Sequence, residues 1–254
     1  MKNELKEFEK CSKDYVPDCL FPSDNEMEIP TLLDLQAKTV DVPFVCFGEQ
    51  RRSMAMNGFG TLHFYTEDYR FNTIYEHPEK IMRHNPRNII EPNFSLFDTT
   101  PIGLGLSAIY KKRYIARACQ NAGINIFVDL NVSPRWYRAN MLGVPMGWSS
   151  FATRGYSDRI DLLEVEHQIA LNWACGNPLT FVVYGGGSKC EKFCKENGAV
   201  YITPIIAIKN KIKRLEKMNE IAFNPHFCKF EDTLSPIYKD QIKNYINQLS
   251  NGKT

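Results

Sequence analysis

No apolar run in this 254-residue chain approaches the ~20 residues that a membrane-spanning helix needs. The start, MKNELKEFEKCSK, is charged and lacks the apolar core of a signal peptide, so the chain is expected to be cytoplasmic with no membrane contact. There is no strong excess of one charge: 31 basic and 29 acidic residues leave a net +2. A nucleic-acid role would therefore have to rest on a local patch. No CxxC pair occurs among the eight cysteines. Cys190 and Cys194 fall on one helix face, but no third and fourth ligand stand nearby at zinc-site spacing, so no metal is expected. The thiols of a cytosolic chain this size are expected to be reduced. There is no P-loop, dinucleotide-binding glycine fingerprint, nucleophile elbow or internal repeat, and no cofactor is implied.

What is present is an ordinary globular composition, 43% hydrophobic and 24% charged, long enough for one large α/β domain. Residues 1–30 combine a short charged helix with the proline- and acid-rich YVPDCLFPSDNEMEIP, and read as an irregular arm. Residues 31–254 read as a single α/β domain whose basic end, 209–254, is helical. Within it, VDVPFVCFG, GTLHFYTED, NIIEPNFSLF, INIFVDLNV, LTFVVYGGG and AVYITPIIAI are strand candidates. Pro92 favours an edge position for the third. Helical spacing follows Asp68, a candidate N-cap. A stronger helix runs from Thr100-Pro101 to Gly123. Two more begin at Ser157-Asp158 and Ser188. His167 is expected on the wet side of its helix. The order strand–helix–strand predicts parallel strands with helical crossovers, in a barrel-like or an open, doubly wound sheet. At least six strands without a dinucleotide signature favour the barrel-like form.

Ligands of parallel α/β folds collect beyond the carboxyl ends of the strands. The most specific exit is Gly185-Gly186-Gly187-Ser188-Lys189: glycines before a helix start can turn N–H groups toward a phosphate, with Lys189 adding charge. The same pattern also fits a tight turn that needs only glycine. The stretch from Ser133 to Gly155, about 23 residues long, reads as an irregular loop. It places Arg135 and Arg138 beside Trp136, residues suited to clamping a phosphate and stacking on a base. Asp129 ends a strand, where a carboxylate must be paired or used. With Glu49 and His63 it forms a candidate catalytic set.

Four short motifs add a resemblance: Asp68 to Phe71, Pro92 to Leu96, Tyr110 to Arg113, and Gly123 to Ile126. Together, over roughly residues 55–190, they resemble the phage and mobile-element family catalogued as domain of unknown function 4417, with Asn93 where aspartate is common. The resemblance implies an α/β fold and a phage or mobile-element setting, and supplies no catalytic residues. The leading expectation is a protein that recognises a phosphate-bearing ligand, a nucleotide or single-stranded nucleic acid, at the strand exits. A protein-binding adaptor and a metal-dependent hydrolase are the alternatives.

Overall fold

A computed structural model of the protein describes residues 20–49, 56–210 and 213. The charged helix expected at the start and nearly all of the basic segment 209–254 lie outside the described residues. Seven strands form one sheet: β1 (Phe44–Cys46), β2 (Thr61–His63), β3 (Asn88–Ile90), β4 (Asn125–Asp129), β5 (Ser150–Arg154), β6 (Thr180–Tyr184) and β7 (Val200–Ile202). Every neighbouring pair is parallel, and the order in space is the order in sequence. Right-handed crossovers in such a sheet all put their helices on one face, and the sheet rolls up. The Phe44 ring of β1 reaches within 5.6 Å of the Tyr184 ring of β6, across the hollow of the sheet. The architecture is a half-barrel rather than a doubly wound sheet.

The helices are α1 (Glu79–Met82), α2 (Ile102–Asn121), α3 (Tyr137–Asn140), α4 (Ile160–Ala174) and α5 (Gly187–Asn197), and residues 205–210 are also helical. Alternation along the strands divides the interior. Val45, Leu62, Ile89, Val128, Phe151 and Val183 point to the helices, while Phe44, Ile90, Phe127, Ala152, Val182 and Ile202 point into the hollow. The hollow has a floor. Residues 36–41 run under the amino ends of the strands, held by side chains from four of them. Thr180 Oγ1 donates to Lys38 O (3.0 Å), Ser150 Oγ to Ala37 O (2.7 Å), Asn88 Nδ2 to Thr39 O (2.9 Å) and Thr61 Oγ1 to Asp41 O (2.8 Å).

Several local expectations are corrected. The segment 133–155 is not an irregular loop: it contains α3 and the whole of β5. Pro92 marks no edge, because β3 lies inside the sheet and Pro92 comes after Glu91 N donates the last ladder bond to Phe127 O. Asp68 does not cap a long helix. It opens the first of two 3-10 turns, and its carboxylate accepts from Ser95 N (3.0 Å) and Ser95 Oγ (3.1 Å) instead. His167 is enclosed rather than wet, edge-on to Phe181 and Phe193.

Trp136 packs against Gly105 of α2, its ring filling the space where a Cβ would stand. Helix propensity alone makes Gly105→Ala stabilising by about 1 kcal/mol. Overpacking against an indole costs about 1–3 kcal/mol. We expect packing to win and the melting temperature to fall by several degrees. A rise in thermal melts would mean that the tryptophan can leave without loss.

Candidate functional site

The upper end of the hollow carries Cys46 of β1, His63 of β2, Tyr65 just beyond it, Asp129 of β4, Arg154 of β5 and Tyr184 of β6, all on inward positions set by the strand register. Their rings stack. His63 packs against both Phe44 (4.7 Å) and Tyr184 (4.6 Å), and Tyr184 is parallel to Tyr65 at 5.5 Å. No strand joins β1 to β7 among the described residues, and the two edges bracket a cavity of about 230 Å³. Phe44, Cys46, His63 and Tyr184 form one wall. Ile202, Ile205 and Ile206 form the other, with Glu49 and Lys209 also lining the space.

Burial sets the protonation of this wall. His63 is 2% exposed, and loss of water, with Arg154 nearby, holds its imidazole down at about 3, so it is neutral in ordinary buffers. Tyr65 N donates to His63 Nδ1 (3.3 Å), which leaves the ring proton on Nε2. Burial, then Glu49, pushes the Cys46 thiol up to about 11, so Cys46 is a thiol and a poor nucleophile. Burial pushes the Tyr184 phenol up to about 12.

The three candidate acid–base residues divide. Glu49 and His63 both line the cavity, and Glu49 N closes the turn after β1 by donating to Cys46 O (3.2 Å). Asp129 does not join them. It is fully buried in an ionic network under the strand ends. Tyr65 Oη donates to its Oδ1 (3.0 Å), and Lys112 Nζ lies 3.4 Å from Oδ2. The Asn93 amide, turned with its nitrogen toward the carboxylate, adds a donor at 3.3 Å. Lys112 also donates to Asp129 O and to Asn140 Oδ1. Beside it, Arg113 is ion-paired to Glu91, whose Oε2 accepts from Asp129 N (3.2 Å). Burial raises both acids, with Arg113 and Lys112 pulling Glu91 back and Lys112 pulling Asp129 back. Two acids face two bases, which is how a buried charge becomes tolerable. Asp129 here is a partner that anchors the strand end. Among the described residues, no group of three or more histidines, cysteines and carboxylates could hold a metal.

The glycine turn sits next to the cavity, since Tyr184 of the wall leads directly into Gly185. All three glycines have positive φ (79°, 85° and 73°). Gly186 crosses the chain after β5 so closely that a Cβ would come within 2.7 Å of Gly155 C and 2.9 Å of Tyr156 N. The turn thus has a steric reason for its glycines whatever it binds. Gly187, Ser188 and Lys189 are exposed at the start of α5. Arg154, in register with Tyr184, reaches over the Tyr156 ring (5.5 Å), and Arg159 lies over the same ring (5.4 Å). Arg135 is directed elsewhere, donating to the carbonyls of Asp98 and Thr100 before α2. Arg138 is exposed on α3. Trp136 is 3% exposed and donates from Nε1 to Phe97 O (2.9 Å), so its faces are covered and it cannot stack on a base in this conformation. Sequence reasoning missed Tyr184 as a wall residue and Tyr65 as the ring stacked on it. Period-2 alternation through LHFY and FVVY, which puts one tyrosine of each run on the inner face, was the signal available.

No solved structure matches this chain. Among curated proteins, the Gene 1 protein of Mycobacterium phage D29 is 30% identical over 111 residues, 42% of this chain and 40% of that protein. The Gene 1 protein of Mycobacterium phage L5 is 28% identical over 130 residues, 50% of this chain and 56% of that protein. The chain thus aligns to about half the length of the curated relatives it matches. Among the described residues, no helix is long and apolar enough to cross a membrane. Residues 21–168, more than half of the chain and covering β1 to β5, match the model of the family described as a domain of unknown function (DUF4417), and the chain belongs to that family.

Proposed function

We propose that this is a phage-encoded protein that binds a small phosphate-bearing ligand, a nucleotide or the end of a single strand, at the strand exits of the half-barrel. One observation carries the reading: the aromatic wall of the β1–β7 cavity runs through Tyr184 straight into the glycine turn at the start of α5, beside Arg154. A ring-lined cavity of about 230 Å³ suits one planar group rather than a polymer. The α5 N-terminus, Lys189 and Arg154 offer the positive potential a phosphate needs at its rim. The phage setting rests on the two gene 1 proteins.

Thermal melts with nucleoside monophosphates, inorganic phosphate and short single-stranded DNA test the reading. A ligand at ~100 times its dissociation constant stabilises by about 2.7 kcal/mol, a shift of ~5–10 °C at ~2–4 °C per kcal/mol. The shift should shrink strongly in an Arg154→Ala, Lys189→Ala double variant. A full wild-type shift in that variant would refute the phosphate placement.

The adaptor reading has its own observation. Phe97, Ile102 and Leu104, at the start of α2, are 65%, 62% and 66% exposed. Exposed apolar residues so close together mark interaction surfaces. A flat ligand panel together with a pull-down lost in a Phe97→Ser, Leu104→Ser variant would favour it. The metal-dependent reading is weakened by the pairing of Asp129 away from Glu49 and His63.

A further inference from the structure

We propose that the β1–β7 cavity takes a planar group carrying a hydrogen-bond-accepting oxygen, as in the oxo edge of a nucleobase, and that His63 Nε2–H is the donor that reads it. The inference deepens the phosphate-ligand reading by naming the other end of that ligand. It stands on the geometry of one side chain. His63 is 2% exposed and lines the cavity, and its Nδ1 is occupied as acceptor for Tyr65 N–H. Its ring packs against Phe44 (4.7 Å) and Tyr184 (4.6 Å), which also meet each other at 5.6 Å, so three mutually packed rings fix its position. Among the described residues Nε2 makes no hydrogen bond, and it is not a sealed, unsatisfied atom, so it opens to the cavity that His63 lines. What remains is a fixed N–H donor at the inner wall of an aromatic slot. The imidazole stays neutral because the same enclosure removes the water that would stabilise its charged form. A neutral donor held against packed rings suits a neutral acceptor, a carbonyl-type oxygen in the plane of a stacked ring. An amino group at that edge would set donor against donor, the mismatch by which a polar site rejects a ligand.

The experiment pairs ligands that differ at this edge. UMP and GMP carry an oxo group where CMP and AMP carry an amino group. Isothermal titration on the full chain should show the oxo member of at least one pair binding roughly tenfold or more tighter, about one well-made hydrogen bond's worth of discrimination. In His63→Phe, which keeps the ring stack and removes the donor, the preference should vanish while phosphate-dependent binding remains. An unchanged preference in His63→Phe would overturn the assignment. So would equal binding of oxo and amino members by the wild type. Binding of inorganic phosphate with no base preference would sink this inference and leave the phosphate reading intact. Absence of all binding would remove both. The ¹⁵N spectrum of the unliganded wild type gives a readout that needs neither a variant nor a ligand. The Nε2–H tautomer of His63 should persist from pH 8 down to pH 5. An Nδ1–H tautomer, or a charged ring at pH 5, would refute the proposal.

Discussion

Arg113→Met should lower the melting temperature by roughly 10 °C, the largest effect expected of any single substitution in the strand-exit region. Arg113 is fully buried on α2, paired with Glu91, and donates to Leu142 O (3.1 Å) and Asn140 O (2.6 Å). Removing it leaves Glu91 and Asp129 to share Lys112, at 3.9 and 3.4 Å, with no water to replace the lost charge. Breaking one side of a buried ion pair costs about 3–5 kcal/mol, and each kcal/mol moves a chain of this size by ~2–4 °C. The loss should be partly recovered in Arg113→Met, Glu91→Leu, because the orphaned carboxylate goes too. Circular-dichroism melts of the wild type, both single variants and the pair close the cycle. A shift under 2 °C for Arg113→Met would show that the network is not what holds the end of β4.

That network was not legible in the sequence, and the reason is physical. Lys112 and Arg113 in IYKKRYIARA carry charges of the kind that a local pattern alone would place on a helix's solvent face. They are buried because they face the ends of β3 and β4 and residues 140–142, while residues 20–35 cover other positions of the same helix, where Gln120 Nε2 donates to Leu33 O (2.8 Å) and the Phe21 ring meets Tyr114 at 5.1 Å. A pairing 87 residues apart leaves no local pattern. The floor of residues 36–41 was hidden for the same reason. β5 was missed on different grounds. Its inward positions, Ser150, Ala152 and Arg154, are small or charged because they face the floor, the crowded hollow and the mouth. Ser-Phe-Ala-Thr-Arg therefore shows no apolar run. The strands that could be read, INIFVDL and LTFVVY, carry bulky apolar residues on both faces, as sheet buried between helices and a filled hollow must. The glycine turn after β6 was legible as a strand exit. That Tyr184 would join it to His63, 121 positions earlier in the chain, depended on how far the sheet rolls.

Glu166→Gln should change how stability depends on pH. Glu166 sits on α4 against β5, where Thr153 Oγ1 donates to its Oε2 (2.6 Å) and Tyr137 Oη lies 3.5 Å from Oε1. Burial pushes the carboxyl up to about 8 from an ordinary 4.5, opposed by the Thr153 hydrogen bond and reinforced by the charge of Asp129. The folded state therefore holds this proton more tightly than the unfolded chain. Its contribution is fully present below pH 4.5 and is lost as the pH rises to about 8, at about 1.4 kcal/mol per pH unit inside that window. His63 acts in the opposite sense. Its folded value of about 3 lies below the ordinary 6.5, so its contribution is present above pH 6.5 and lost as the pH falls toward 3. The wild-type curve mixes the two, but the difference between wild type and Glu166→Gln isolates the carboxyl, because His63 is common to both. Chemical denaturation at pH 5, 6, 7 and 8 should find the variant gaining steadily on the wild type, by up to about 1.4 kcal/mol per unit. A difference that does not change with pH would mean that Glu166 ionises in the folded protein as freely as in water. The carboxyl would then have to be hydrated between α4 and β5, and the outer layer of the half-barrel would be looser than its packing indicates.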